Sequence, residues 1–171
     1  MSARRHASAV LLLPGLVGGL VPALLVWREG PNAGWGLPLG LALLTVLAGL
    51  ALLAAGLILL ARTIRLLAAV GRGTLAPWDP TSRLVVRGPY RYVRNPMITG
   101  VLAVLLGEAA LLGSPAVLGW FAAVLAVNAV YLPLVEERGL RRRFGPAYDE
   151  YRANVPRWLP RLRPWEPAAG D

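Results

Sequence analysis

Two short constellations in this chain could do chemistry. The first is Arg94-Asn95-Pro96. Proline suits the first turn of a helix, where its missing N–H costs nothing, and asparagine suits the cap before it. A helix begun this way presents free backbone N–H groups and a positive dipole end beside an arginine. That is a good place for an anion such as a carboxylate. An ordinary helix start with snorkelling arginines would use the same residues. The second constellation is Glu136-Glu137, adjacent acids directly after an apolar run. They can attract a cation or accept hydrogen bonds from hydroxyl and ammonium groups. Salt bridges to Arg138, Arg141 or the arginines of the 62–97 segment are the plainer alternative. Glu108 is a third candidate, because acids inside apolar spans are functional by default; solvation at the far interface is its alternative.

Composition excludes several chemistries. Cysteine is absent, which removes disulfides, thiolate metal sites and covalent thiol catalysis. The single histidine, His6, sits beside the N-terminus, so neither a histidine metal site nor a Ser-His-Asp triad is expected. No metal is expected, and no residue stands out as a catalytic acid or base. The net charge is +9 and all 18 basic residues are arginine. Such a balance suits nucleic acid or the anionic face of a membrane. The arginines crowd the ends of apolar runs, which favours the membrane and argues against nucleic acid.

These residues must be held by the apolar runs. The chain has 171 residues, 56% of them apolar. A helix needs ~20 apolar residues to cross the hydrocarbon core. Four spans are expected, at about 9–27, 36–61, 98–112 and 116–135. Gly113-Ser114-Pro115 reads as a tight turn between the last two. The expected fold is all-α: a polytopic membrane bundle of about four helices with a helical C-terminal tail. A single domain covers 1–163, and 164–171 is expected to be disordered. The first run is too long for a signal peptide and lacks a small-residue cleavage site. Four spans place 17 of the 18 arginines on one side, which is then cytoplasmic and holds both termini.

Two polar segments, 62–97 and 136–171, therefore face each other across one interface. In the first, Arg62 to Gly73 continues the second span as a helix, and 74–80 is turn-rich. In the second, Leu140, Phe144 and Tyr148 form an apolar stripe that Gly145-Pro146 interrupts. Two short helices or one sharp bend are expected there. Trp158 is an expected interfacial anchor.

The stretch Arg87-Gly-Pro-Tyr-Arg-Tyr-Val-Arg-Asn-Pro-Met-Ile-Thr-Gly100 resembles the Arg-His/Asn-Pro-x-Tyr-x-Gly motif of the isoprenylcysteine carboxyl methyltransferase and phospholipid N-methyltransferase superfamily. The stretch from Glu136 to Tyr151, followed by Val155-Pro-Arg157, resembles its Glu-Glu-x-x-Leu…Phe-Gly-x-x-Tyr-x-x-Tyr…Val-Pro signature. Together the two blocks cover about 84–161, in the family's order.

The resemblance implies a methyltransferase that uses S-adenosylmethionine, in a bacterial plasma membrane. It implies that Arg94, Asn95, Pro96 and Gly100 line the cofactor site and that Glu136 and Glu137 bind its ribose hydroxyls or ammonium. Tyr148 and Arg157 are further cofactor candidates; Arg87, Tyr90 and Glu108 are candidates on the substrate side. The acceptor is expected to be lipophilic, an isoprenoid-linked carboxylate or a phospholipid-type head group. Methyl transfer from a sulfonium needs positioning more than acid–base residues, which suits a chain so poor in histidine and cysteine. Two positions depart from the pattern. Asn95 stands where many relatives have His, and Ile98 stands where Tyr is usual. The alternative is a non-catalytic membrane protein whose arginine-rich tail binds anionic lipid or a partner, although such an anchor gains nothing from Glu136-Glu137.

Overall fold

The computed structural model describes residues 14–70 and 84–166. The start of the first expected span and the 74–80 turn lie outside them. The described residues form five helices and no strand. Helix α1 covers 14–29, with a π-helical turn at Leu16–Leu20 and regular α-helix over Val21–Glu29. Helix α2 is Leu39–Val70, α3 is Pro96–Leu112, α4 is Pro115–Phe144 and α5 is Pro146–Asn154. A 3-10 turn, Gly88–Arg91, precedes α3.

Two stretches, Leu39–Leu67 of α2 and Pro115–Phe144 of α4, are long and apolar enough to cross a membrane. Only 11% of the most apolar window of each is buried inside the protein. A soluble protein would bury such helices, so these exposed apolar faces are suited to lipid.

The second span starts at Leu39 rather than Gly36, because Gly34, Trp35 and Gly36 all take positive φ, in a tight turn. It also runs on to Val70, as the helical reading of 62–73 expects. The fourth run does not end at Val135. The helix continues to Phe144 through a π-helical turn at Leu132–Glu136, so Glu136 and Glu137 sit within a continuous helix. Gly145, at φ 54 and ψ −131, then breaks the chain into α5, as the Gly-Pro pair predicts.

Helices α2 and α3 pack antiparallel at backbone contact. A Cβ on Gly107 would lie 2.7 Å from the Leu53 nitrogen and 2.8 Å from the Gly49 carbonyl oxygen. A Cβ on Gly56 would lie 2.8 Å from the Gly100 oxygen. Small residues seven apart on each helix make this approach possible.

The opposite ends of the helices are clasped. Gly113 takes φ 60, and a Cβ there would collide with the Asn32 carbonyl. Asn32 donates its N–H to Leu112 O at 2.8 Å. Ser114 caps α4 by accepting from the Val117 N–H at 3.2 Å, and its hydroxyl donates to Glu29 at 3.0 Å.

At the arginine-rich end, Tyr148, Tyr151 and Val155 form a small core with Leu84, Val86, Leu140 and Phe144 around it. The chain after α5 then lies along 91–94. Arg94 N–H donates to Pro156 O at 2.9 Å, Arg161 N–H to Tyr92 O at 3.0 Å and Trp165 N–H to Arg91 O at 2.9 Å. At the start of the 164–171 stretch expected to be disordered, Trp165 packs on Tyr151 and Glu166 pairs with Arg91; 167–171 lie outside the described residues.

Candidate functional site

A cavity of about 960 Å³ opens between α3, the second half of α4 and α5. It lies at the upper end of the range for small-molecule pockets. One end is polar and is lined by Tyr90, Arg94, Asn95, Glu136, Arg143 and Tyr148. The remainder is apolar, with Val17 from α1, Met97, Ile98 and Val101 from α3, and Trp120 and Val124 from α4.

Helical periodicity sorts the residues of α3. Met97, Ile98 and Val101 face the cavity, continuing from Arg94, whereas Gly100 and Gly107 face α2. Asn95 occupies the N-cap position, but its side chain makes no cap hydrogen bond. Only its carbonyl serves the helix, accepting from Thr99 N–H at 2.9 Å. Its amide is left at the cavity wall.

Pro133 lies in the first turn of the π-helical segment of α4. Proline has no N–H and crowds the carbonyl four residues before it, and a widened turn relieves that conflict. After this turn, Glu136 lines the cavity while Glu137 points away from it and is 5% exposed.

The Glu137 carboxylate is the centre of an ion cluster. Arg157 donates to it through Nε at 2.6 Å and Nη2 at 2.9 Å. Arg94 Nη1 lies 3.1 Å away and Arg152 Nε 3.8 Å. The two-pronged Arg157 contact fixes the carboxylate's orientation. The same hydrogen bond raises the Arg157 pKa above its ordinary value.

Arg94 is held by its backbone bond to Pro156 and by Glu137, yet its hydrogen-bonding capacity is not exhausted. Its guanidinium is largely buried, and among the described residues Nε and Nη1 have no hydrogen-bond partner. Nη1 still faces the Glu137 carboxylate at 3.1 Å, so Nε is the donor left without an acceptor nearby among the described residues.

Tyr151 donates its hydroxyl to the Tyr90 carbonyl at 2.7 Å, tying α5 to the segment before α3. Burial raises the pKa of Tyr90, Tyr148 and Tyr151, with the Glu136 charge adding at Tyr90 and the Glu137 charge at Tyr148. All three are therefore neutral hydroxyls at physiological pH.

Of the residues singled out in sequence, Arg94, Asn95, Glu136, Tyr148 and Tyr90 come together on the cavity. Glu137 and Arg157 stand behind Arg94 rather than on the cavity surface. Pro96 is buried, and Gly100 meets Leu60 and Gly56 of α2, so neither lines the cavity. Arg87 and Glu108 are also away from it. Glu108 sits 13 residues beyond Asn95, about 20 Å along the helix.

Trp120, Asn128, Tyr131 and Arg143 line the cavity without having been singled out as site residues. Their signal is the spacing 120, 124, 127, 131, 135, one face of a helix. That face is hidden in the sequence because the opposite faces of α4 are apolar too.

A family model described as phospholipid methyltransferase matches residues 44–147, more than half of the chain. The chain belongs to the phospholipid methyltransferase family, which agrees with the superfamily read from the two motif blocks. The matched region includes Arg94, Asn95, Glu136 and Glu137 but stops before Tyr148 and Arg157. No curated protein and no solved structure matches the chain.

Proposed function

We propose that the chain is an S-adenosylmethionine-dependent methyltransferase acting on a lipophilic acceptor at the cytoplasmic membrane interface. The observation that carries this reading is the convergence of Arg94, Asn95, Glu136 and Tyr148 on one largely apolar cavity in a chain of the phospholipid methyltransferase family. The residues fit the donor's chemistry. A carboxylate suits Arg94 and the Asn95 amide; ribose hydroxyls or an ammonium suit Glu136; flat adenine suits the aromatic and aliphatic walls.

When bound, S-adenosylmethionine supplies an electrophilic methyl on a positive sulfur. The protein's part is positioning. Glu137 and Arg157 hold Arg94 against the wall, and Arg94 and Asn95 hold the anionic group beside the α3 N-terminus. Glu136 offers carboxyl oxygens at the polar end, and Tyr90 and Tyr148 offer hydroxyl donors. The apolar wall accepts the acceptor's tail and excludes water from the reaction zone. The acceptor is of the isoprenoid-carboxylate or phospholipid head-group kind, with the family favouring lipid. Four membrane crossings with both termini cytoplasmic accord with the arginine distribution, and a bacterial plasma membrane is the proposed location.

Calorimetry on detergent-purified protein tests the donor. S-adenosylmethionine should bind, and Asn95→Ala should weaken binding about tenfold, as expected for loss of one hydrogen bond to a charged group. Incubation with labelled donor and a membrane lipid extract should transfer label to a lipid, read by mass spectrometry. No binding in the unaltered protein, or unchanged binding in Asn95→Ala, removes the site assignment.

A further inference from the structure

We propose that the strap after α5, residues 158–165, lies within the cytoplasmic leaflet, with Leu159 and Leu162 inserted among lipid chains and Arg163 at the phosphates. Leu159 is 80% exposed and Leu162 fully exposed, on a segment whose backbone is nevertheless fixed.

The depth of the strap follows from its contacts. Thr99 Oγ1 donates to the Trp158 carbonyl at 3.5 Å. The next residue, Gly100, packs against Leu60 of α2. Leu60 lies one residue inside the end of the uncharged run of α2, which closes at Ala61 before the exposed Arg62 and Arg65. Trp158 is therefore level with the arginine-bounded edge of the apolar zone of α2, the depth at which an exposed leucine beside a tryptophan meets the head-group and upper acyl region of a leaflet.

The backbone suits that position. A chain entering the edge of the bilayer must satisfy its polar groups internally. Within the strap, Pro160 and Pro164 lack N–H groups, which leaves six of its eight residues with a donor to satisfy. The N–H groups of Arg161 and Trp165 are bonded to Tyr92 and Arg91. Tryptophans 158 and 165 flank the two leucines, the composition of a segment lying in the membrane interface. The charge matches as well: Arg163 is exposed, as are Arg138, Arg142 and Arg152 near the same end, and an anionic leaflet complements them.

The inference rests on the proposed membrane placement of α2 and α3, but its test does not depend on methyl transfer. Because the chain has no cysteine, Leu159→Cys and Leu162→Cys can each carry a single environment-sensitive fluorophore. The protein is reconstituted in vesicles of phosphatidylcholine and phosphatidylglycerol in equal parts. Leu47→Cys, in the middle of α2, and Ala153→Cys, on α5, serve as references. Both strap probes should emit at shorter wavelength than the Ala153 probe and lose most of their emission to lipids spin-labelled near the head group. The Leu47 probe should be quenched by lipids labelled deep in the chain. If both strap probes behave like Ala153 while Leu47 is quenched, the inference is overturned. If Leu47 also escapes quenching, the membrane placement fails and the inference falls with it.

Discussion

Glu136 and Glu137 carry the same side chain at adjacent positions, yet they do different work. Glu137 is buried in a cluster with Arg94, Arg152 and Arg157, whereas Glu136 lines the cavity. Removing Glu137 leaves the largely buried Arg94 charge uncompensated, which costs about 3 kcal/mol or more. Glu137→Ala should therefore lower the unfolding temperature in detergent and also disturb donor binding. Glu136→Ala should change stability by less than about 0.5 kcal/mol while still weakening donor binding. Equal thermal shifts in the two variants would contradict this division. The acid pair was legible in sequence, and so was its salt-bridging alternative. Which acid takes which role was not, because it depends on the rotation introduced by the π-helical turn at Pro133.

Among the elements, the α2–α3 pair is built on glycine. A methyl group at Gly107 meets backbone atoms of Leu53 and Gly49 below 3.0 Å, so the helices must separate to admit it. Gly107→Ala should destabilise the protein by about 1–3 kcal/mol, the usual cost of overpacking. Gly119→Ala, where nothing lies within 4 Å, should be neutral or slightly stabilising. Thermal unfolding of the two variants side by side decides the matter. The same geometry turns Gly100, which the family resemblance assigns to the cofactor site, toward α2: it lies five or six residues beyond Asn95 and Arg94, about one and a half turns, on the other face of the helix. Gly49 and Gly56 are small residues seven apart in an apolar run, a pattern that permits close packing, but nothing in the sequence names α3 as their partner.

For the molecule as a whole, the arginine distribution makes a topological prediction. Ala33 lies in the turn before α2 and Ala153 on α5, and both are exposed. Single cysteines at the two positions should react with a membrane-impermeant maleimide from opposite sides of sealed vesicles. Labelling of both from one side would rule out an odd number of crossings between them. Apolar run length revealed the order of the helices, and glycine and proline marked the turn at 113–115 and the break at Gly145. The pairing of 156–165 with 91–94 was not legible, since it joins backbone atoms some 65 residues apart with no side-chain pattern to announce it.

The lining of the chamber has one more consequence. On the proposed function, the donor endangers any soft or basic nucleophile beside it; this chain has no lysine and no cysteine, its single histidine is far from the chamber in sequence, and the Met97 thioether is a soft group on the wall. Its cations are guanidinium groups, which hold their protons at every physiological pH and offer no free electron pair to a methyl group. On that reading, the incoming head group competes with no amine or thiol side chain of the walls.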